Sequence, residues 1–471
     1  MKYLLVLCLL IAAAGSLRAQ CSCEPIGDLE NGTTVTVATV AELRNAIAGA
    51  SGPTAILLQD GEYVIESGME IAKPGIIIRS AGRNRENVVL SGGGSSVPDW
   101  AFLVTEGDFT LADLTIRGFV RHGVLVRPAG GTGNVHVRNV AFIDAGEQYL
   151  RATGTDAAAI ADLVVECSYF QRTPGSATLV DGAGVIIEKG DNATIVDSRF
   201  TNIAGVQGSA AAVVAMKGCR NVIVERNMIA NCDRGIVIGD TMAGETDVQG
   251  AIIRTNMIAG GDEGGPGIAV ANTSGAAITH NTVYSPGGAG WSIGLRYAPT
   301  IGAVLSDNFT DEPILARDGA QEGERAGNIA TAAAGDFVDA AGGDLHIVAT
   351  SIARDRGVNP AHPDIDCQDV QDGQADVGAD EYSTTSGVGA ARRLSGYQIA
   401  YEAGRDAIMV TLDDPHDIRL ELYDMLGERL GAVRGSGDAM IITAGLPAGI
   451  YLLLIDAGAE GRSVEKMVLG R

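Results

Sequence analysis

A short apolar segment recurs along the chain and constrains its fold more than any other feature. It begins at Leu111, Val137, Val165, Ile195, Val224, Ile253, Ile278 and Leu305 and reads LADLTI, VRNVAF, VECSYF, IVDSRF, VERNMI, IRTNMI, ITHNTV and LSDNFT, with about 25 to 30 residues from one start to the next. Each segment opens on an apolar residue and, except in the last, carries another five positions on. A second family lies between the first: GVLVRP from Gly123, GVIIEKG from Gly184, AVVAMKG from Ala212, GIVIGDT from Gly235, GIAVANT from Gly267 and SIGLRYA from Ser292. Earlier segments, AILLQDGEYVI from Ala55, GIIIRSAG from Gly75 and NVVLSGGG from Asn87, suggest shorter turns of the same kind. Two or three short strands per turn is the signature of a parallel β-solenoid. No turn can bury its apolar face alone, and stacking the turns builds one continuous core. The composition suits such a stack: 46% hydrophobic residues, only 4% aromatic residues and 64 glycines for tight turns. A helical period is sustained over no long window.

The last four turns share an asparagine, at Asn227, Asn256, Asn281 and Asn308. Stacked in register these form a ladder at a bend, each amide bonding its neighbours and the turn backbone and so satisfying buried polar groups. A row of four asparagines could also be a binding row; the architecture favours the structural reading.

The runs NVIVERNMIANCDRGIVIGD (221–240), AIIRTNMI (251–258) and HNTVYSP (280–286) are similar to secreted right-handed parallel β-helix proteins of the pectate-lyase-like superfamily. GDLHIVATSIARDRGVNPAHPDIDCQDVQDGQADVGADEY (343–382) resembles the closing segment of bacterial members. The resemblance covers roughly residues 34–382. It implies a fold and no single activity, because that superfamily includes lyases, hydrolases, epimerases and adhesins.

Beyond Tyr382 the pattern changes. Residues 383–394 have the composition of a linker. RLELYDMLGERLGAVRG (419–435), IITAGLPAGIYLLLI (441–455) and VEKMVLGR (464–471) read as antiparallel strands of a small sandwich. Tyr423-Asp424 with Gly427, then Leu446-Pro447-Ala448-Gly449-Ile450-Tyr451, then Lys466, closely resemble the type IX secretion sorting domain of Bacteroidetes-like bacteria. That resemblance implies export across the outer membrane by the type IX machinery. The expected organisation is an all-β chain: a signal peptide over 1–19, a right-handed parallel β-helix over 20–382, the linker, and a sorting domain of antiparallel β-sandwich form over 395–471.

The leader reading rests on Met1-Lys2, an apolar run from Tyr3 to Gly15 and Ser16-Leu17-Arg18-Ala19. The run is too short for a membrane anchor, and no later stretch is long enough to span a bilayer. Gln20 does not fit the small residue a lipoprotein signal places before its cysteine, so Cys21 is not read as lipidated. The protein is expected to be secreted or held at the outer cell surface, where disulfides form. Outside the leader stand Cys21, Cys23, Cys167, Cys219, Cys232 and Cys367. Their spacings fit neither a disulfide scaffold nor a zinc site. Cys219 with Cys232 is the preferred pair; buried thiols are the alternative.

The formal charge is −24, from 34 Lys and Arg against 58 Asp and Glu. This argues against nucleic acid as a partner, since phosphate neutralisation needs excess cations. A local basic row is informative on such a chain. Just after the second strand family the residues are Arg127, Lys189, Lys217, Asp240, Asn272 and Arg296, with Arg151 and Arg220 near by. Such a row complements an acidic polysaccharide. The resemblance implies the chemistry: lyases of the superfamily use Lys or Arg to remove the proton beside a uronate carboxylate, often with Ca²⁺ neutralising that carboxylate. On that reading Lys189 or Lys217 is the base, Arg220 or Arg296 holds the carboxylate, and Arg127, Asp240 and Trp291 line the path. The structural alternative is a set of solvated turn residues, and the superfamily's calcium-dependent lyase motifs are not matched.

Hydrolysis is disfavoured. A glycosidase needs two carboxylates at a fixed separation, and the β-helix hydrolases that cut pectin carry an adjacent Asp pair, Gly-His-Gly and Arg-x-Lys. The Asp-Asp of this chain is Asp413-Asp414, in the sorting domain, and His280 stands in THN, where it reads as a turn residue. The string Asp364, Asp366, Asp369, Asp372, Asp376 and Asp380 offers oxygen donors for Ca²⁺, with Asp364, Asp366, Asp369 and Asp372 as the candidate ligands. It lacks the EF-hand's terminal Glu, and Asx-turns closing the solenoid are the alternative. A non-catalytic adhesive solenoid is the alternative to an enzyme.

Overall fold

A computed structural model of the chain describes residues 23, 26–27, 29, 31–92, 97–128, 130, 133–176, 182–242, 244–260, 265–288, 290–359, 363–370 and 373–382, and in the C-terminal part 397–402, 407–412, 417–424, 429–443, 446, 449–456 and 462–469. The leader, Cys21, the linker, Asp372 and Asp413-Asp414 lie outside these residues.

The larger unit, within Ala19–Ser383, is a right-handed parallel β-helix. Its strands form a 25-stranded sheet that wraps two sides of each coil and a 10-stranded sheet on the third. The starts of the first strand family align in one ladder, Leu111–Val137–Val165–Ile195–Val224–Ile253–Ile278–Leu305, extended upstream by Val35, Ile56 and Ile78. Val137 and Ile253, like the rest of those eight starts, are fully buried. The residue five positions on forms a second inward column. There Phe142, Phe170 and Phe200 stack at centroid distances of 4.9 and 4.7 Å with planes 5° apart. In-register stacking thus turns one aromatic per coil into a continuous column.

Between these two columns each coil turns through one residue in the left-handed region: Asp113, Asn139, Cys167, Asp197, Arg226, Thr255, His280 and Asp307, all with φ between 49° and 55°. His280 is therefore a turn residue, 4% exposed, as its sequence context suggested. The residue that follows builds the polar ladder. Asn227, Asn256, Asn281 and Asn308 each accept from the preceding member's backbone N–H or donate onward at 2.9–3.1 Å. The ladder is longer than four asparagines: Asn328 continues it, and Ser168 and Ser198 carry it back to Val140. A serine hydroxyl reaches the same backbone N–H that the amide oxygen reaches in later coils.

The 10-stranded sheet holds the second strand family. Glycine opens several of these strands because a side chain there meets the aromatic column. A Cβ on Gly123 would lie 2.7 Å from the Phe142 ring, and one on Gly184 would lie 2.6 Å from the Phe200 ring. The sheet also contains Gln148–Thr153, between Gly123 and Gly184, which lacks the glycine opening and was not read as a strand. A helix, Val40–Gly49, lies near the N-terminal end, with Thr39 and Glu42 forming a capping box and Leu43 and Ile47 buried. Its Leu43 and Ile47 join the main core cluster.

The preferred Cys219–Cys232 pair does not form; both are free buried thiols. Cys219, on the strand Cys219–Arg220 of the long sheet, accepts from Gly190 N–H and donates to Met216 C=O, and Cys232 ends another strand of the same sheet. The staple is instead Cys23–Cys167, with Cα atoms 6.1 Å apart. Cys367 is disulfide-bonded as well.

The C-terminal unit forms a seven-stranded antiparallel sheet in the order Tyr397–Glu402, Ala407–Leu412, Asp438–Ile442, Arg429–Ser436, Asp417–Asp424, Gly449–Asp456, Arg462–Leu469. Its two halves share a single ladder pair, Ser436 with Asp438. Ile408 and Val410 of one half pack in one cluster with Leu420 and Leu453 of the other, the arrangement of a small sandwich.

One buried histidine makes stability pH-dependent. His122 is 2% exposed, with Nδ1 3.2 Å from Gln148 C=O, and burial lowers its pKa to about 4. The unfolded chain takes up this proton from about pH 6.5 downward, while the folded state resists until about pH 4. The contribution is therefore intact above pH 6.5 and falls across that window by about 3 kcal/mol. Urea midpoints from pH 7 to 4 should drop more steeply for the native chain than for His122→Phe; parallel curves would exclude His122 as the source.

Candidate functional site

The residues expected to form one row occupy two adjacent columns. Lys189, Lys217 and Asn272 sit at left-handed turn positions, with φ of 55°, 59° and 47°. Arg127 directly follows Val126, which pairs with Ala152, so it stands level with Thr153 and Glu188. Arg296 pairs with Ala271 and Arg317, one place before Asn272. Strands of the second sheet differ in length, so "the residue after the strand" slips by one between coils.

Each of these cations except Arg127 is paired. Lys189 bonds Asp156. Arg220 grips Asp191 with two bonds of 2.9 and 2.8 Å. Arg296 bonds Asp318 at 2.7 Å and lies 4.7 Å from the Tyr297 centroid. The organising residue is Glu188, the last residue of strand Ala183–Glu188. It is 3% exposed and accepts from Arg151 at 2.7 Å, Thr153 at 2.9 Å and Lys217. Burial pushes its pKa up, but Lys217, Arg151 and Thr153 outweigh burial and the net shift is downward, so Glu188 is held ionised. The expected concentration of positive charge is thus largely neutralised from within. Among the described residues Arg127 makes no ion pair and is exposed.

Asp240 is a turn-former: its Oδ1 accepts from Met242 N–H at 2.9 Å and its carbonyl from Asn272. Asp247 caps the same loop, taking Lys217, Gly218 and Asp240 N–H groups. Trp291 is half-buried. Its indole fills the space above Gly294, and the Arg317 guanidinium stacks 3.7 Å from its centroid. The outward row of the second sheet, Leu125, Arg151, Ile186, Val214, Val237, Ala269, is apolar apart from Arg151. Val214 and Val237 form a cluster of their own with Ile186 and Ala269.

A groove of about 420 Å³ lies elsewhere, on the long sheet. Ile77, Asp108, Thr110, Asn134, His136, Asp162 and Val164 are among the residues that line it. No cation of the expected row lines it.

Of the calcium candidates, Asp372 lies outside the described residues, and Asp364, Asp366 and Asp369 do not form one ligand group among the described residues. Asp364 is 2% exposed and accepts from the N–H groups of Asp366, Gln368 and Glu381, with burial raising its pKa to about 6. Asp369 is exposed. The turn-capping alternative fits Asp364. Asp366 instead meets His346 and Asp380, whose ligand atoms and its own all lie within 4.8 Å of one another.

Residues 101–303 match the family model described as right handed beta helix region. No curated protein sequence matches the chain. Solved structures with similarity to it include pectate lyase Pel9A, 14% identical over 75% of this chain and 97% of that one, TM-score 0.49. An alginate lyase from Paenibacillus sp. str. FPU-7 is 16% identical over 63% and 99%, TM-score 0.34. PfbA, a surface adhesin of Streptococcus pneumoniae, is 13% identical over 62% and 86%, TM-score 0.40. No helix among the described residues is long and apolar enough to cross a membrane.

Proposed function

We propose that this right-handed β-helix protein is exported and binds an acidic polysaccharide along the turn edge of its second sheet, holding the polymer without cutting it. The observation that supports this reading is how the edge cations are paired. Lys189 and Lys217 both donate to carboxylates, Asp156 and Glu188, so the protein's own acids engage the two residues that a lyase reading would aim at a substrate proton. The same pairs do not prevent binding. The Arg220 side chain is 58% exposed against Asp191, and an exposed ion pair is worth only about 0–1 kcal/mol, whereas Lys217 is half exposed against the buried Glu188 and can offer a ligand its remaining N–H donors. A ligand carboxylate can therefore replace or share the internal partner at small cost. Coils about 4.8 Å apart let neighbouring carboxylates of one polyuronate meet successive cations, with unpaired Arg127 at one end.

The test is affinity for a uronate polymer measured alongside ultraviolet absorbance at the unsaturated-uronate band. The chain should bind polygalacturonate or alginate, more weakly as salt rises, and Lys217→Ala with Arg220→Ala should weaken binding at least tenfold. Unchanged affinity in that double variant would sink the binding edge. An absorbance rise that requires calcium would replace this reading with a calcium-dependent lyase.

Export follows from the leader at 1–19 and the C-terminal unit, read as a cleavable address for the type IX machinery. Deleting residues 395–471 should leave the β-helix inside the outer membrane, where fractionation detects it. Normal release of the truncated chain would exclude a sorting role.

A further inference from the structure

We propose that His346, Asp366 and Asp380 bind one divalent transition-metal ion, zinc in first place, within the closing segment of the β-helix. The geometry begins with the histidine. Its Nδ1 bonds the Asp344 carboxylate. A carboxylate only accepts, so Nδ1 carries the proton and donates, and the other ring nitrogen is left to face the interior. That nitrogen, Nε2, is buried without a hydrogen-bond partner and lies 3.4 Å from Asp366 Oδ2. Asp380 brings a second carboxylate to the same point. With Nδ1–H committed to Asp344, a neutral ring would aim the Nε2 lone pair at two carboxylates; against the opposing cost of burial, the carboxylates of Asp344, Asp366 and Asp380 raise the ring's pKa to about 10. Only something positive at the centre makes that arrangement favourable: a proton on Nε2, or a cation.

The charge count favours the cation. Asp366 and Asp380 together carry two negative charges. A proton on Nε2 offsets one of them, and a divalent ion offsets both. The His346–Asp344 bond is the support that metal-bound histidines commonly have, a carboxylate taking the far ring N–H and fixing the tautomer. The other ligands are held too. Asp380 accepts from Ile347 N–H at 2.7 Å, and the backbone of Asp366 is tied to Asp364 at 2.9 Å. His346 is 5% exposed and Asp380 is 1% exposed, with Asp366 partly buried beside them. One imidazole nitrogen and two carboxylate oxygens suit zinc or a neighbouring transition ion, with a water completing the shell. Calcium wants about 6–8 oxygens, and this cluster supplies too few. The ion would tie strand Asp344–Ile347 to the Asp364–Glu381 loop, cross-linking the end of the solenoid.

The experiment uses the full mature chain, stripped with chelator and dialysed. Titration with Zn²⁺, Co²⁺ and Ca²⁺ is followed by calorimetry and by thermal midpoint, and the Co²⁺ sample also by its visible absorption. One Zn²⁺ should bind per chain at micromolar concentration or below and raise the midpoint. Co²⁺ should give ligand-field bands that Zn²⁺ abolishes and Ca²⁺ does not. His346→Gln should weaken Zn²⁺ at least tenfold, as should Asp380→Asn, which keeps an acceptor for Ile347 N–H. The Co²⁺ spectrum needs no variant, so poor folding of either substitution leaves the test intact. A colourless, heatless titration means the site holds only a proton and overturns the proposal. Equal affinity in His346→Gln, or preferential Ca²⁺ binding, overturns it as well.

Discussion

Asn256→Ala should destabilise the β-helix by about 3 kcal/mol, and Asn256→Ser by distinctly less. The Asn256 amide oxygen accepts both Asn227 N–H and Asn227 Nδ2, and its own Nδ2 donates to Val224 C=O, Arg254 C=O and the Asn281 amide oxygen. Asn256 is fully buried, so no water replaces what alanine removes. The Asn227 N–H is orphaned outright, and a buried donor without a partner costs about 1–3 kcal/mol. Two carbonyls and a neighbouring amide lose contacts in addition. Serine behaves differently because the ladder already contains it: Ser198 Oγ accepts from Ser168 N–H at 3.1 Å. Urea unfolding followed by circular dichroism measures the loss, and amide exchange at Asn227 locates it. An Asn256→Ala protein as stable as the parent would show that the ladder contributes shape and little energy.

Cys23→Ser should destabilise the β-helix by about 5 kcal/mol by loop entropy. The Cys23–Cys167 bridge closes a loop with a sequence separation of 144, and cross-linking so long a loop removes much freedom from the unfolded chain. Cys167 sits at a left-handed turn position on the outer bend, φ 52°, so the bridge ties the chain's beginning across several coils. In a solenoid each coil otherwise touches only its neighbours, and the bridge is one of few connections of long reach. Oxidised Cys23→Ser should melt below the oxidised native chain, and reductant, which also opens the Cys367 bridge, should lower the native chain at least as far. Equal midpoints in all samples would show that the first coils hold without it. Cys219 and Cys232 do not compensate; burial pushes their thiols up to about 11 and about 12, which leaves them unreactive.

Much of the solenoid was legible because its core follows from repetition. The eight strand starts from Leu111 to Leu305 fall in one ladder, and four ladder asparagines could be placed from spacing alone. Strand Gln148–Thr153 escaped because Tyr149 stands level with Gly123 and Gly184 of the adjoining coils, where the pattern has a small residue. The basic edge was half legible. Its cations are in the sequence, but their carboxylates are not visible as partners: Asp156 stands 33 residues from Lys189, and Glu188 stands 37 from Arg151.

The sequence by itself determined the coil. Apolar residues that recur once per turn must face inward when turns stack, and that condition involves only neighbouring turns. The tertiary structure alone decided the pairings across coils: Cys23 with Cys167, Glu188 with both Arg151 and Lys217, and His346 with Asp366 and Asp380. These depend on which residues become level after strands of unequal length. A shift of one position exchanges a turn residue for a strand residue and changes every partner it can reach.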